Sequence, residues 1–270
     1  MRLDGYEMTC DILKLARSFI LKHQPPEILP AKRDFLAVID GAEGAGKSSS
    51  GAKFCAEIDP GFTARYRFFY STKELSAAFM AGYDKINKTL DFNNPAALKP
   101  GDAWVLDEGG ESLYSRNWQN AEVRHLNQIL MLSRFRGTIG FVVLPDFEIL
   151  DNYVRRFRAG MLLRFESSYD VATGEMAYGI FEGYVGKQFA SIRAQQKNGV
   201  VYAHYPSPSY YGLVPENTSE DWRAYQKVEP MRKMQLLAAH DKEINAPPKV
   251  PGKKGRPKKM EGKDDDDTAM

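Results

Sequence analysis

The 270-residue sequence predicts an α/β fold with a mainly parallel sheet, and three observations carry that expectation. Short apolar runs bounded by turn residues recur along the chain, as buried strands do. Helix-spaced apolar patterns alternate with them, which implies βαβ units and right-handed crossovers. A glycine-rich loop joins the first such strand to the helix after it. The composition agrees: 43% apolar and 12% aromatic residues are enough for a sizeable core. With 37 basic and 35 acidic residues the net charge is +2, so bulk charge selects no partner.

Taken in order, Ile12, Leu13, Ala16, Phe19 and Ile20 repeat at helical spacing behind Thr9, a predicted N-cap. Pro25, Pro26 and Pro30 end that helix, so residues 1–33 read as an N-terminal helix and linker. Phe35 to Ile39 is the first strand, followed by a loop and a helix over about 46–57. Tyr66 to Tyr70 is the second strand, and Ser71 or Thr72 caps a helix to about Tyr83. A loop rich in Asn, Pro and Gly leads to the third strand, Ala103 to Leu106. A long helix is predicted over roughly 118–135, a fourth strand over Ile139 to Leu144, and a helix from Asp146 to about Arg158.

After residue 160 two extended segments, Leu162 to Ser167 and Met176 to Gly183, meet at Thr173-Gly174, a hairpin signal. Val200 to Tyr205 reads as one more strand, with an irregular aromatic stretch around Tyr210 and Tyr211. The main domain is thus expected over 34–218, a polar C-terminal helix over 219–245, and a charged, proline-rich tail over 246–270. Such a tail cannot repay its ordering entropy and reads as disordered.

Cys10 and Cys55 cannot build a disulfide framework or a four-ligand zinc site, which suits a reducing compartment. Residues 1–10 lack the pattern of a secretory leader. The longest apolar runs are about half a dozen residues, against the ~20 a membrane-spanning helix needs. A soluble, cytoplasmic chain with no integral membrane segment is expected. The four histidines are scattered, and no Ser/His/Asp or Cys/His arrangement has local support.

The chemistry lies in two motifs. Gly41-Ala42-Glu43-Gly44-Ala45-Gly46-Lys47-Ser48 satisfies G-x-x-x-x-G-K-[ST], the Walker A pattern, between a buried strand and a helix. Its glycines let successive N–H groups converge on one anion, and the helix adds its positive end. Ser49, next in line, adds another N–H at that end. Lys47 is the residue to reach β- and γ-phosphates, and the Ser48 hydroxyl is a candidate Mg²⁺ ligand. Trp104-Val105-Leu106-Asp107-Glu108 then places two carboxylates at a strand's carboxyl end, about 60 residues on. Asp107 suits Mg²⁺ through its water shell, and Glu108 suits polarisation of an attacking water.

Walker A, a strand–helix unit and then an apolar strand ending in Asp-Glu resemble the P-loop ATPases that carry the glutamate beside the Walker B aspartate (the ASCE division). That resemblance implies a three-layer fold, a sheet order of 5-1-4-3-2, and ATP with Mg²⁺ as ligands. The stretch from Leu130 to Pro145, with Ser133-Arg134-Phe135-Arg136 at its turn, is similar to the helix–basic turn–strand segment of FtsK/HerA-type and zonular-occludens-toxin-like ATPases of phages, archaeal viruses and plasmids. Many of those relatives end the fourth strand in a γ-phosphate-sensing glutamine, where this chain has Leu144-Pro145-Asp146. The resemblance implies ATP hydrolysis coupled to DNA translocation, packaging or transfer, in a homo-oligomeric ring such as a hexamer. In a virus the setting would be the host cytoplasm or the virion.

Rings of this kind complete a neighbour's site with an arginine. Arg134 and Arg136 are the first candidates, then Arg116 and Arg124; the plainer reading is helix-end charge. Arg155, Arg156 and Arg158, with Arg164 beyond, form a basic cluster for a nucleic-acid backbone or the solvated side of a helix. Lys254-Gly255-Arg256-Pro257-Lys258-Lys259 resembles an AT-hook core, which would place Lys254 and Arg256 on DNA. Two other functions stay open: a P-loop kinase acting on a small molecule or protein, and a zonular-toxin-like assembly or secretion ATPase.

Overall fold

The computed structural model describes residues 34–84, 89–91, 93–94, 96–107, 127–131, 136–169, 176–195, 205–214 and 216–244. Strand β1 (Phe35–Gly41) leads through the glycine loop into helix α1 (Lys47–Ile58). A single helical turn, α2 (Ala64–Arg67), precedes the short strand β2 (Phe68–Phe69), and α3 (Thr72–Met80) follows. Ser71 caps α3, its hydroxyl accepting from the Glu74 N–H at 3.2 Å. A minimal ribbon of β3 (Tyr83–Asp84) and β4 (Thr89–Leu90) stands apart from the main sheet. Then come β5 (Ala103–Leu106), β6 (Ile139–Val143), β7 (Met161–Tyr169), β8 (Met176–Tyr184), α4 (Gly186–Gln195), β9 (Tyr210–Leu213) and α5 (Glu220–Ile244).

Seven strands make the main sheet in the order β2-β5-β6-β1-β7-β8-β9. The first five run parallel, and β8 and β9 add antiparallel to β7. Numbering the parallel strands along the chain gives 5-1-4-3-2, the expected P-loop order. β6 separates the strands that carry the two motifs, and β7 is both the fifth parallel strand and the first strand of the hairpin.

Both sheet faces are covered, so β1 is buried from Phe35 to Asp40 and β6 throughout, and Phe35–Ile39 and Ile139–Val143 read as apolar runs. On one face α1 packs through Gly51, where a Cβ would lie 3.4 Å from Ile39, and through Phe54, which stacks on Phe141 and meets Phe181 edge-on. On the other face Leu36, Val38, Trp104, Val142 and Leu162 join Phe147 and Phe189 in one cluster. Trp104 satisfies its buried N–H on Thr138 at 3.0 Å. Two compact units divide the chain between Glu229 and Pro230. Within the first, Trp222 and Tyr225 pack on Phe68. The described part of the second, 230–244, is helical and begins at Pro230.

Four expectations are corrected. The strand expected over Tyr66–Tyr70 shrinks to two residues, because Arg67 ties the preceding turn to Asp59 and, at 3.2 Å, to Asp102. The helix expected from Asp146 to Arg158 is a 3-10 turn (Phe147–Ile149) and a separate π-helical turn (Val154–Arg158). Two aspartates break it: Asp146 accepts from the Glu148 N–H at 2.9 Å and Asp151 from the Tyr153 N–H at 2.8 Å. Tyr210 and Tyr211, expected to close an irregular stretch, instead begin β9, with Tyr210 lying over Gly183 where any side chain would collide with its ring. Helix α4 was not expected; among its described side chains Phe189 and Ile192 enter the core.

The predicted N-terminal helix, most of the helix over 118–135, the Thr173-Gly174 turn and the tail over 246–270 lie outside the described residues. So does the strand expected from Val200, apart from Tyr205, which is irregular.

Candidate functional site

The loop after β1 curls because three glycines take left-handed backbone angles: Gly41 (φ 122°), Gly44 (φ 73°) and Gly46 (φ 85°). At Gly41 the need is also steric, since a Cβ would stand 1.9 Å from the Phe165 carbonyl oxygen. Neighbouring strands hold the curl in place. The Gly41 N–H donates to the Pro145 carbonyl and the Ala42 N–H to the Phe165 carbonyl, both at 3.3 Å; the Gly179 N–H of β8 donates to the Ala45 carbonyl at 3.1 Å. Gly46 then opens α1, and no side chain caps the helix and no acidic residue occupies its first turn. The N–H groups that begin α1 at Lys47, Ser48 and Ser49 therefore lie at a positive dipole end with no acceptor inside the helix, an arrangement that could take an anion.

Lys47 lies back across the loop, its Nζ donating to the carbonyls of Gly41 at 2.5 Å and Ala42 at 2.7 Å. Partial burial lowers its pKa, while Asp40, Asp107 and Glu43 oppose that shift. The second motif arrives from β5. Asp107 is 2% exposed, and its carboxylate accepts from the Ser48 hydroxyl at 3.0 Å, joining residues 59 apart in sequence. Two oxygens at that spacing fit neighbouring positions of an octahedral ion, which for Mg²⁺ bonds of 2.0–2.1 Å stand about 2.9 Å apart. Among the described residues no group of three or more His, Cys, Asp or Glu gathers as a metal site. Ser48 and Asp107 thus offer one hydroxyl and one carboxylate, a pair that could serve a Mg²⁺ that keeps waters and takes phosphate oxygens.

A buried polar cluster borders the loop on the face opposite α1. Asp40, the last residue before Gly41, is fully buried and accepts from the Phe147 N–H at 3.1 Å. Arg164 pairs with it in register on β7, and its guanidinium lies 4.2 Å from the centre of the Tyr205 ring. Desolvation pushes the Asp40 carboxyl up to about 7; Arg164, the Phe147 N–H and Lys47 pull it down, and Asp146 pushes it up. A cavity of about 560 Å³ opens beside the loop, with Glu43, Asp146, Arg164, Glu166 and Ser167 on its walls. Sequence reasoning passed over Asp40 and gives Tyr205 only a packing or loop role. The only signal for Asp40 was a lone carboxylate ending an apolar run.

The structure brings Gly41–Ser49 and Asp107 together at the carboxyl ends of β1 and β5. Glu108, Arg134, Arg116, Arg124, Lys254 and Arg256 lie outside the described residues. Arg136 is in the core, donating to the carbonyls of Leu98 at 2.9 Å and Phe79; it reaches a neighbouring subunit only if those bonds break. In the basic cluster Arg158 is ion-paired with Asp34, and Arg155 donates to the Glu148 carbonyl at 3.3 Å. The Arg156 carbonyl accepts from Arg193 at 3.1 Å. No helix among the described residues is long and apolar enough to cross a membrane.

No known protein family and no curated protein matches the sequence. Among solved structures, the N-terminal domain of zonular occludens toxin from Neisseria meningitidis is similar at 15% identity and a TM-score of 0.38, over 69% of this chain and 96% of that one. A HORMA:CdnC:Trip13 complex from E. coli MS115-1 aligns at 16% identity and a TM-score of 0.35, over 62% of this chain and 64% of that one. The genome packaging NTPase B204 of Sulfolobus turreted icosahedral virus 2, in complex with ATP-gammaS, aligns at 11% identity and a TM-score of 0.34, over 57% of this chain and 93% of that one.

Proposed function

We propose that the chain is a Mg²⁺-dependent ATPase whose hydrolysis drives DNA translocation, packaging or transfer. The observation that carries the nucleotide part is the Ser48–Asp107 hydrogen bond at the open N-terminus of α1, with Lys47 poised over the same loop. The converging N–H groups of the loop and of Lys47, Ser48 and Ser49 would bind the phosphates. Lys47 would exchange its two loop carbonyls for phosphate oxygens, a trade of neutral acceptors for charged ones. Ser48 and Asp107 would hold Mg²⁺, which supplies charge neutralisation at the β- and γ-phosphates. Glu108, one residue beyond Asp107, would orient the attacking water and accept its proton.

The DNA half rests on the family resemblance of the Leu130–Pro145 segment. A ring assembly with an arginine supplied in trans belongs to the same reading, with Arg134 its first candidate.

Titration with Mg-ATP tests the nucleotide site: saturable uptake is expected in the wild type and not in Lys47→Ala. Glu108→Gln should keep uptake and lose turnover. No uptake, or uptake indifferent to Lys47, overturns the reading. Turnover measured with and without duplex DNA tests the motor. Absence of both stimulation and retardation at low salt removes it, and phosphate found on an acceptor in place of free phosphate makes the chain a kinase.

A further inference from the structure

Strands β7 and β8 lose register next to the loop. Glu166 faces Ile180 and Ser168 faces Ala177, so two steps on β7 oppose three on β8. The surplus is a bulge at Tyr178 and Gly179. Gly179 takes φ 80°, and a Cβ there would strike the Val214 carbonyl oxygen at 2.1 Å. Its N–H leaves the ladder to bind the Ala45 carbonyl at 3.1 Å, and its own carbonyl accepts from Val214 at 2.8 Å. Bulges bend a strand and re-aim a side chain, often beside an active site. Here the bend ties β8 to the phosphate loop and leaves Tyr178 there. Tyr178 is 60% exposed, and its Cβ stands 3.9 Å from where a Cβ on Gly46 would be.

Gly46 immediately precedes the first helical N–H groups, so Tyr178 stands beside the end of the loop where those groups would hold a polyphosphate. We propose that Tyr178 is the nucleobase platform of the site: its ring takes the base of the bound nucleotide by stacking. This rests on the nucleotide reading above and adds a specificity to it. An exposed tyrosine is a wide, stiff, partly apolar surface with only two torsions to freeze. Stacking accepts any base, because every base has a π-face. The site therefore selects for a base but not sharply among bases, and the larger purine face gains more than a pyrimidine.

The test compares calorimetric titrations of Mg-ATP and Mg-tripolyphosphate, the second carrying the same charged chain without a base. Tyr178→Ala should weaken ATP about 5- to 150-fold, the span that loss of one base–aromatic stack produces, and leave tripolyphosphate unchanged. Tyr178→Phe should keep ATP affinity, since the ring and not the hydroxyl does the binding. Equal weakening of both ligands would mean that the substitution disturbs the loop, and undiminished ATP affinity would mean that the ring carries no base; either overturns the platform. A wild type that takes up neither ligand overturns the nucleotide site itself, a separate outcome.

Discussion

Replacing Asp40 with asparagine should stabilise the protein, and more at alkaline than at acid pH. The carboxyl is fully buried, with one oxygen bonded to the Phe147 N–H and the other, Oδ1, without a hydrogen-bond partner among the described residues. Arg164, Lys47, Asp146 and Tyr205 are the charged and titratable groups around it. Burial raises its pKa from 3.8 to about 7 despite the two cations. The unfolded carboxyl releases its proton near pH 4 while the folded one keeps it to about 7. The folded state thus binds more protons across that window, and stability falls as pH rises through it, levelling off above. At 1.36 kcal/mol per unit, linkage gives a cost of about 2 kcal/mol at pH 5 and about 4 kcal/mol at pH 8. Asparagine keeps an acceptor for Phe147 and carries no charge at either pH. Urea unfolding followed by tryptophan fluorescence at both pH values should show the variant's advantage growing by about 2 kcal/mol, or about 4–8 °C in Tm. An advantage equal at both pH values, or a variant less stable at pH 8, would refute the assignment of a costly buried charge to Asp40.

Arg136→Met should destabilise the fold by about 2–4 kcal/mol, because two buried carbonyls, those of Leu98 and Phe79, lose their donor. If Arg136 instead acts on a neighbour's phosphates, the unfolding midpoint stays put while ATP turnover falls. Thr138→Val should cost about 1–3 kcal/mol by orphaning the buried Trp104 N–H. Thr138→Ser should restore most of that, and the same denaturation assay reads both.

The sheet was legible because its strands are buried on both faces and so appear as apolar runs between turn residues. The loop was legible because only glycine allows the angles at Gly41, Gly44 and Gly46, leaving a fixed spacing in the sequence. What escaped depends on side-chain caps inside an apolar pattern or on partners distant in sequence. The apolar face over Ile149, Leu150, Tyr153 and Val154 suits a helix, but Asp146 and Asp151 cap local N–H groups and divide it into two turns. β9 forms only because Gly183 leaves room for the Tyr210 ring. The Asp40 cluster draws on β1, the turn after β6, β7 and Tyr205, and no local pattern announces such a convergence. The bulge at Gly179 is similarly silent, since a lone glycine in a strand does not say which way the chain will bend.

The loop motif alone does not make the site rigid. Its curl is fastened by main-chain bonds from three places far along the chain: Pro145 after β6, Phe165 on β7 and Gly179 on β8. These bonds join main-chain groups to one another, so under the proposed nucleotide reading little ordering entropy is left to spend on binding. On that reading Lys47 is the part that must move, since it donates to two neutral carbonyls of the same loop. Binding then amounts largely to one side chain changing acceptors inside a preset frame. By the same bonds, displacement at the loop is passed first to the turn after β6 and to the β7–β8 hairpin. Those are the elements through which a nucleotide-dependent change would leave this site.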